Sequence, residues 1–245
     1  MPDSLFGSDS DSDALDDPPL HAPLVAEPPL ASSVAPEALA GLYLLPKALP
    51  VDLHDQLAQS LSQHVWTGAS DQVMLFERTG HSSFPSFLDP LVAFLPSLTS
   101  TLPEHVQDLL NDATKPRQAI LNLYRPGQGI TPHVDLESRY ADGILGVSLL
   151  TSTVMDFRPA SSSPSSAPVH SVRLLPRDVY VLSGPARFEW SHGIADRDED
   201  MVADECGEPM VLRRGVRMSI TLRRMKAGAE VIGPQEEEGQ APGAS

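Results

Sequence analysis

The chain has one cysteine, Cys206, in 245 residues. A single thiol excludes an intramolecular disulfide and points to a reducing compartment. Long apolar runs are missing too: none approaches the ~20 residues that a membrane-spanning helix needs. The acidic start, Met1-Pro2-Asp3-Ser4, is unlike a secretory signal or an Arg-rich transit peptide. Cytoplasm or nucleus is therefore the expected location, with no membrane partner. Basic residues are scarce, 17 Lys and Arg against 33 Asp and Glu, for a formal net charge of −16. Much of that excess lies at the ends. Residues 1–40 hold eight acids and no Lys or Arg, and residues 224–245 hold four acids and two bases, which leaves −6 for residues 41–223. Even so, the core lacks the basic, phosphate-tracking composition of a tight duplex binder. No internal repeat is found.

What the chain does have is enough length for one sizeable core, stable without disulfides or a structural metal. Residues 1–40, rich in Asp, Ser, Pro and Ala, read as a disordered tail, and so do residues 227–245. Between them, residues 41–226 form the expected domain, taken to be monomeric. From Pro50 the pattern is helical, with Leu53, Leu57, Leu61 and Val65 at a four-residue step. A second helix is expected to start at Pro103. Gln72–Phe76 reads as a strand, and Phe84–Leu98 as a Pro-broken apolar segment. From Ala119 the texture is that of strands, at 119–124, 144–150, 153–157, 169–175, 178–183, 186–190 and 216–223. Residues 159–168 look like a flexible hairpin loop, and residues 195–212 like an acidic insertion. The fold class is therefore α+β, mainly β: a double-stranded β-helix, or jelly roll, with supporting N-terminal helices.

The chemistry concentrates in three stretches. His133-Val134-Asp135 follows a strand-like run, and alternation would put the imidazole and the carboxylate on one face. They make two thirds of a two-His-one-carboxylate facial triad, the usual mark of non-haem Fe(II) oxygenases. Of the eight histidines, His192, ahead of Gly193-Ile194, is the candidate third ligand; a lone strand-end histidine would more often be structural. The third stretch, Arg217 to Arg223, alternates without a break. Met218, Ile220 and Leu222 share one face, and Arg217, Ser219, Thr221 and Arg223 the other. That polar face suits either solvent or a dicarboxylate gripped by guanidinium forks. The arginine Cα atoms would lie roughly 20 Å apart, far enough for two long side chains to flank a short diacid. Asn122 and Tyr124, on one strand face, would supply an amide and a phenol to carboxylate oxygens.

Asn122-x-Tyr124-x-Pro126-Gly127, His133-x-Asp135, His192-Gly193-Ile194 and Arg217-x5-Arg223, in that order, resemble the AlkB family of Fe(II)/2-oxoglutarate dioxygenases. The resemblance covers about residues 72–224. It implies that His133, Asp135 and His192 bind Fe(II). It implies, too, that Arg217 pairs with the distal carboxylate of the cosubstrate 2-oxoglutarate, assisted by Asn122, Tyr124 and Ser219, with Arg223 nearer the metal. Where this chain has Ser219, the family often has Asn. O2 would be the oxidant, and succinate and CO2 the co-products.

Val147-Ser148-Leu149, Val154–Phe157 and Leu175-Pro176-Arg177 look nearest to the transfer-RNA-modifying branch, although this chain has no room for that branch's fused methyltransferase and no evident RNA-recognition motif. The implied substrate is an alkylated base of RNA or DNA. A protein side chain is the alternative, favoured by the acidic core, and a non-catalytic binding module is the third. Glu137 lies where base-repair relatives often face the target base with an acid, and is equally well a surface residue. Trp66, Phe76 and Arg78 are candidates for stacking on a flipped base, with core packing the simpler role for the two aromatics.

Overall fold

Alternating strands and leucine-stepped helices need a common core, and the chain supplies one between two sheets. A computed structural model describes residues 30–66, 68, 70–77, 84–161, 168–204 and 206–229. Among them the order is β1 (Leu42–Leu45), α1 (Val51–His64), β2 (Gln72–Phe76), α2 (Asp89–Thr99), α3 (Glu104–Asn111), β3 (Arg117–Tyr124), β4 (Ile130–His133) and β5 (Tyr140–Leu149). There follow β6 (Thr153–Pro159), β7 (His170–Leu174), β8 (Val179–Leu182), α4 (Pro185–Phe188), β9 (Trp190–Ile194), β10 (Glu199–Ala203), β11 (Pro209–Arg213) and β12 (Arg217–Met225).

The larger sheet runs β1-β8-β5-β12-β3-β2, and the smaller one β4-β9-β6-β7. Antiparallel pairing throughout, with sequence neighbours split between the two sheets, gives the expected jelly roll. The strand period of two separates two cores. One face of the larger sheet turns Leu121, Leu145, Val147, Met218, Ile220 and Leu222 outward onto Leu57, Leu61, Leu91, Leu95 and Val106 of the helices. Ile144, Tyr180 and Leu182, on the other face, meet Met155, Phe157, Val172, Leu174 and Ile194 of the smaller sheet. Arg217, Ser219, Thr221 and Arg223 thereby point into the space between the sheets, because their neighbours on β12 are committed to the helices.

Several expectations are corrected. Residues 186–190 are not a strand. Gly184 takes φ 51°, a left-handed value that a residue with a Cβ rarely adopts, and Pro185 then starts the helical turn α4, so the strand begins only at Trp190. Phe84–Leu98 is not merely broken: it carries a 3-10 turn and α2, with Pro90 in the first turn, where a missing N–H costs no helical bond. The acidic insertion at 195–212 contains the hairpin β10–β11. Residues 30–40, expected to be part of a disordered tail, join the fold. Ala31 and Leu39 are buried, and Ala31 and Ser32 bridge to Val202 and Val172. The rest of that tail (1–29), most of the Pro/Ser loop (162–167) and residues 230–245 lie outside the described residues.

The base of the hairpin is closed by a buried carboxylate. Asp200 is fully enclosed and accepts from Arg214 Nε at 2.6 Å, Arg214 Nη2 at 2.7 Å and Arg197 Nε at 2.7 Å. Removing one partner of a buried pair strands the other charge. Asp200→Ala is therefore expected to lower unfolding free energy by about 3–5 kcal/mol, measured by urea denaturation. A loss under 1 kcal/mol would show that Arg214 finds water when its partner is gone.

Candidate active site

The two imidazoles are placed by strand pairing. In the β4–β9 ladder His133 lies directly opposite His192, and their ring centroids are 4.6 Å apart. His133 Nδ1 is 2.9 Å from the Thr131 carbonyl. A carbonyl only accepts, so Nδ1 carries a proton, and Nε2 is the ring nitrogen available to a metal. His192 is buried, and burial above all pulls its pKa down to about 4, against the opposing pull of Asp135. Its imidazole is therefore neutral near pH 7, the form that ligates metals.

Asp135 arrives differently. β4 ends at His133, so the shared strand face anticipated for the pair does not extend to the carboxylate, which sits in the following loop, buried. Even so, one ligand atom from each of His133, Asp135 and His192 lies within 4.8 Å of the others. Two arginines hold the acid. Arg223 pairs with its carboxylate, and Arg187 Nη1 donates to its backbone carbonyl at 3.0 Å.

Across the cavity stands Arg217, buried between the sheets. Its Nε donates to Ser148 Oγ at 3.2 Å, and its guanidinium lies 5.3 Å from the centre of the Tyr124 ring. Burial lowers its pKa from the ordinary value, with Tyr124 and Tyr180 acting in the opposite sense, but an arginine stays charged. Nη2 of Arg217 and Nε of Arg223 are buried without a protein partner. Such groups are costly to leave unpaired, and here they face one cavity, lined also by Asn122, Ser219 and Thr221. A donor-rich floor with an aspartate and two imidazoles at one end fits a chelating dicarboxylate and a divalent cation. Gln72 Nε2 donates to Asn122 Oδ1 at 2.8 Å and so turns the Asn122 amide donor free for another acceptor. A wider cleft of about 630 Å3 opens from this chamber past Gln72, Asn122, Tyr124 and Ile130, with Asp71 and Asp196 on its rim.

All the residues expected at the metal and cosubstrate positions thus gather in one cavity: His133, Asp135, His192, Asn122, Tyr124, Arg217, Ser219 and Arg223. Glu137 does not join them; it is an exposed turn residue and lines neither the chamber nor the cleft. Trp66 packs against the helix-side core, Phe76 pairs with Gln118 at the sheet edge, and Arg78 lies outside the described residues. Three contributors were not anticipated: Gln72, Tyr180 and Arg187. Thr221 was visible by its place in the β12 alternation. Tyr180 was signalled only by its apparent mismatch in an apolar strand; its ring lies over Gly146, where a Cβ would come within 2.1 Å of Tyr180 Cζ.

A two-His-one-carboxylate set with coordination positions left open marks the non-haem Fe(II) oxygenases, and that is the class that this jelly roll and site define. The chain belongs to the 2OG-Fe(II) oxygenase superfamily, whose model matches residues 42–223. Within it the chain is AlkB-like. It is 36% identical over 122 residues to the Xenopus tropicalis tRNA (carboxymethyluridine(34)-5-O)-methyltransferase alkbh8, covering 45% of this chain and 19% of that one. It is 28% identical over 211 residues to the Arabidopsis thaliana alkylated DNA repair protein ALKBH8 homolog, covering 76% and 58%. To the Mus musculus mitochondrial alpha-ketoglutarate-dependent dioxygenase alkB homolog 7 it is 32% identical over 152 residues, covering 61% and 56%. The chain spans less than two thirds of the length of these curated relatives. A Pseudomonas putida prolyl-4-hydroxylase shares the fold, with a TM-score of 0.50 at 15% identity over 77% of this chain and 94% of that one.

Proposed function

We propose that this chain is an Fe(II)- and 2-oxoglutarate-dependent dioxygenase that hydroxylates or oxidatively dealkylates a modified base of RNA or DNA. One observation carries the reading: His133, Asp135 and His192 converge at one end of a cavity whose other wall holds the buried cation Arg217. His133, Asp135 and His192 would hold Fe(II). Arg217, with Ser219, Tyr124 and Asn122, would hold the distal carboxylate of 2-oxoglutarate. When bound, iron and 2-oxoglutarate with O2 supply oxidation of a substrate C–H bond, coupled to decarboxylation of the oxo acid to succinate.

The protein's part is placement and shelter. Arg217 fixes the far end of the cosubstrate bidentately, while the β4–β9 ladder and the Asp135 loop fix the near end. Ile130, Ile144, Met155 and Ile194 line the chamber and keep it poor in water. The adjoining cleft is wide enough for a base turned out of its stack, which an enzyme working on a buried base requires. The names of the transfer-RNA and DNA-repair relatives support a nucleic-acid substrate. The acids on the rim, Asp71 and Asp196, favour the second reading, a protein side chain.

The test is succinate release from 2-oxoglutarate by purified protein with Fe(II) and ascorbate, across N-methylated oligonucleotides, transfer RNA and methylated peptides. Stimulation by a nucleic acid, with an affinity that falls as salt rises, is the expected result. Stimulation by peptides alone moves the assignment to the second reading. No iron-dependent succinate with any of them overturns the enzyme itself.

A further inference from the structure

The two histidines are positioned by a hydrogen-bonded ladder, but Asp135 lies two residues past the end of β4 and has no ladder to hold it. We infer that Arg187 is the positioning residue that fixes Asp135 for metal binding, an assignment that rests on the proposed iron site.

Arg187 is among the largest fully buried side chains, 1% exposed, an unusual place for a charged group unless it is paired. Its Nη1 donates to the Asp135 carbonyl at 3.0 Å, its one side-chain hydrogen bond among the described residues, where Nε and Nη2 are buried without partners. The bond acts on the main chain rather than on the carboxylate, so it occupies neither Asp135 oxygen, one of which already pairs with Arg223. It also joins the ligand loop to the segment that carries His192, only five residues beyond Arg187. The imidazole and the carboxylate are thereby referred to a common support.

That support is itself braced on two sides. From β5, the Asp142 carboxylate accepts the Gly184 N–H at 3.1 Å and the Ser183 hydroxyl at 3.3 Å. From the N-terminal segment, the Ala40 carbonyl accepts the Ala186 N–H, and the Gly41 carbonyl the Ser183 N–H, both at 2.9 Å. Gly41 has φ +89°, and a Cβ there would meet the Ser183 carbonyl at 1.9 Å, so the contact admits no side chain. Ala40 and Gly41 precede the stretch matched by the family model. The brace therefore runs from Asp142 and residues 40–41, through the Gly184 turn and Arg187, to Asp135.

The experiment is a Mn(II) titration, with 2-oxoglutarate present, of wild type, Arg187→Met, Arg187→Gln and Arg224→Met, all below their melting temperatures. Arg224 is the control. It is likewise buried and donates to main-chain carbonyls, of Leu110 and Lys115, but on the helix side of the sheet. Changes in the outer shell of a metal site typically cost 10–100-fold in affinity. Arg187→Met is expected to weaken Mn(II) about 10-fold or more, and Arg187→Gln, whose amide is too short to reach the carbonyl, to do the same. Arg224→Met should lower the melting temperature with Mn(II) affinity unchanged. Either folded Arg187 variant binding Mn(II) like wild type overturns the inference, and so does an equal loss in Arg224→Met. Wild type that binds no Mn(II) overturns the iron site first, and the inference with it.

Discussion

Asp135→Ala is expected to reduce iron-dependent conversion of 2-oxoglutarate to succinate to background, by about 100-fold or more. Changes merely adjacent to a metal already cost 10–100-fold, and this one removes a ligand, the only anionic donor of the three. The same substitution also frees Arg223 from its ion pair, leaving a cation where the metal should sit and opposing rescue by added Fe(II). Succinate formation over a range of Fe(II) concentrations checks both points. Full activity recovered at high Fe(II) would mean that two imidazoles suffice.

Arg217→Met should act at the other end of the cavity and in a different kinetic parameter. A hydrogen bond to a charged group contributes about 1.5–3 kcal/mol, so loss of the guanidinium should raise the KM for 2-oxoglutarate about 10–150-fold. Arg217→Lys, which keeps the charge but not the planar fork, should fall between. Stability should move the opposite way. Arg217 is 3% exposed with one nitrogen unpartnered, and replacing a poorly compensated buried charge by an apolar chain of similar size is often neutral or stabilising. A KM unchanged in Arg217→Met, or a melting temperature well below that of wild type, would assign the arginine to the scaffold instead.

The polar floor of the cavity was legible because strand periodicity is a local property, whereas Asp135 lies past the end of its strand and was picked out by the His-x-Asp spacing alone. Seven residues, 217 to 223, alternate strictly, so the faces of this part of β12 could be read without knowing its neighbours. Asn122 and Tyr124 follow from the same rule. Residues whose role depends on contacts made far along the chain were not legible. Arg187 stands in a stretch that reads as strand, and only the left-handed Gly184 followed by Pro185 converts it to a helical turn aimed at Asp135. Residues 30–41 have a composition that could not order by itself; they order through bridges to Val172 and Val202 and bonds to Ser183 and Ala186. Glu137, two residues past Asp135, sits in an exposed turn and lines neither the chamber nor the cleft, and its spacing alone could not tell a substrate contact from a surface acid.

The seam at Ala40 and Gly41 has a practical corollary for anyone trimming this protein. A fragment cut to the family-matched stretch, 42–223, would keep His133, Asp135, His192, Arg217 and Arg223, yet remove the acceptors of the Ser183 and Ala186 amides. Such a fragment should chelate poorly, a loss easily misread as an inactive enzyme.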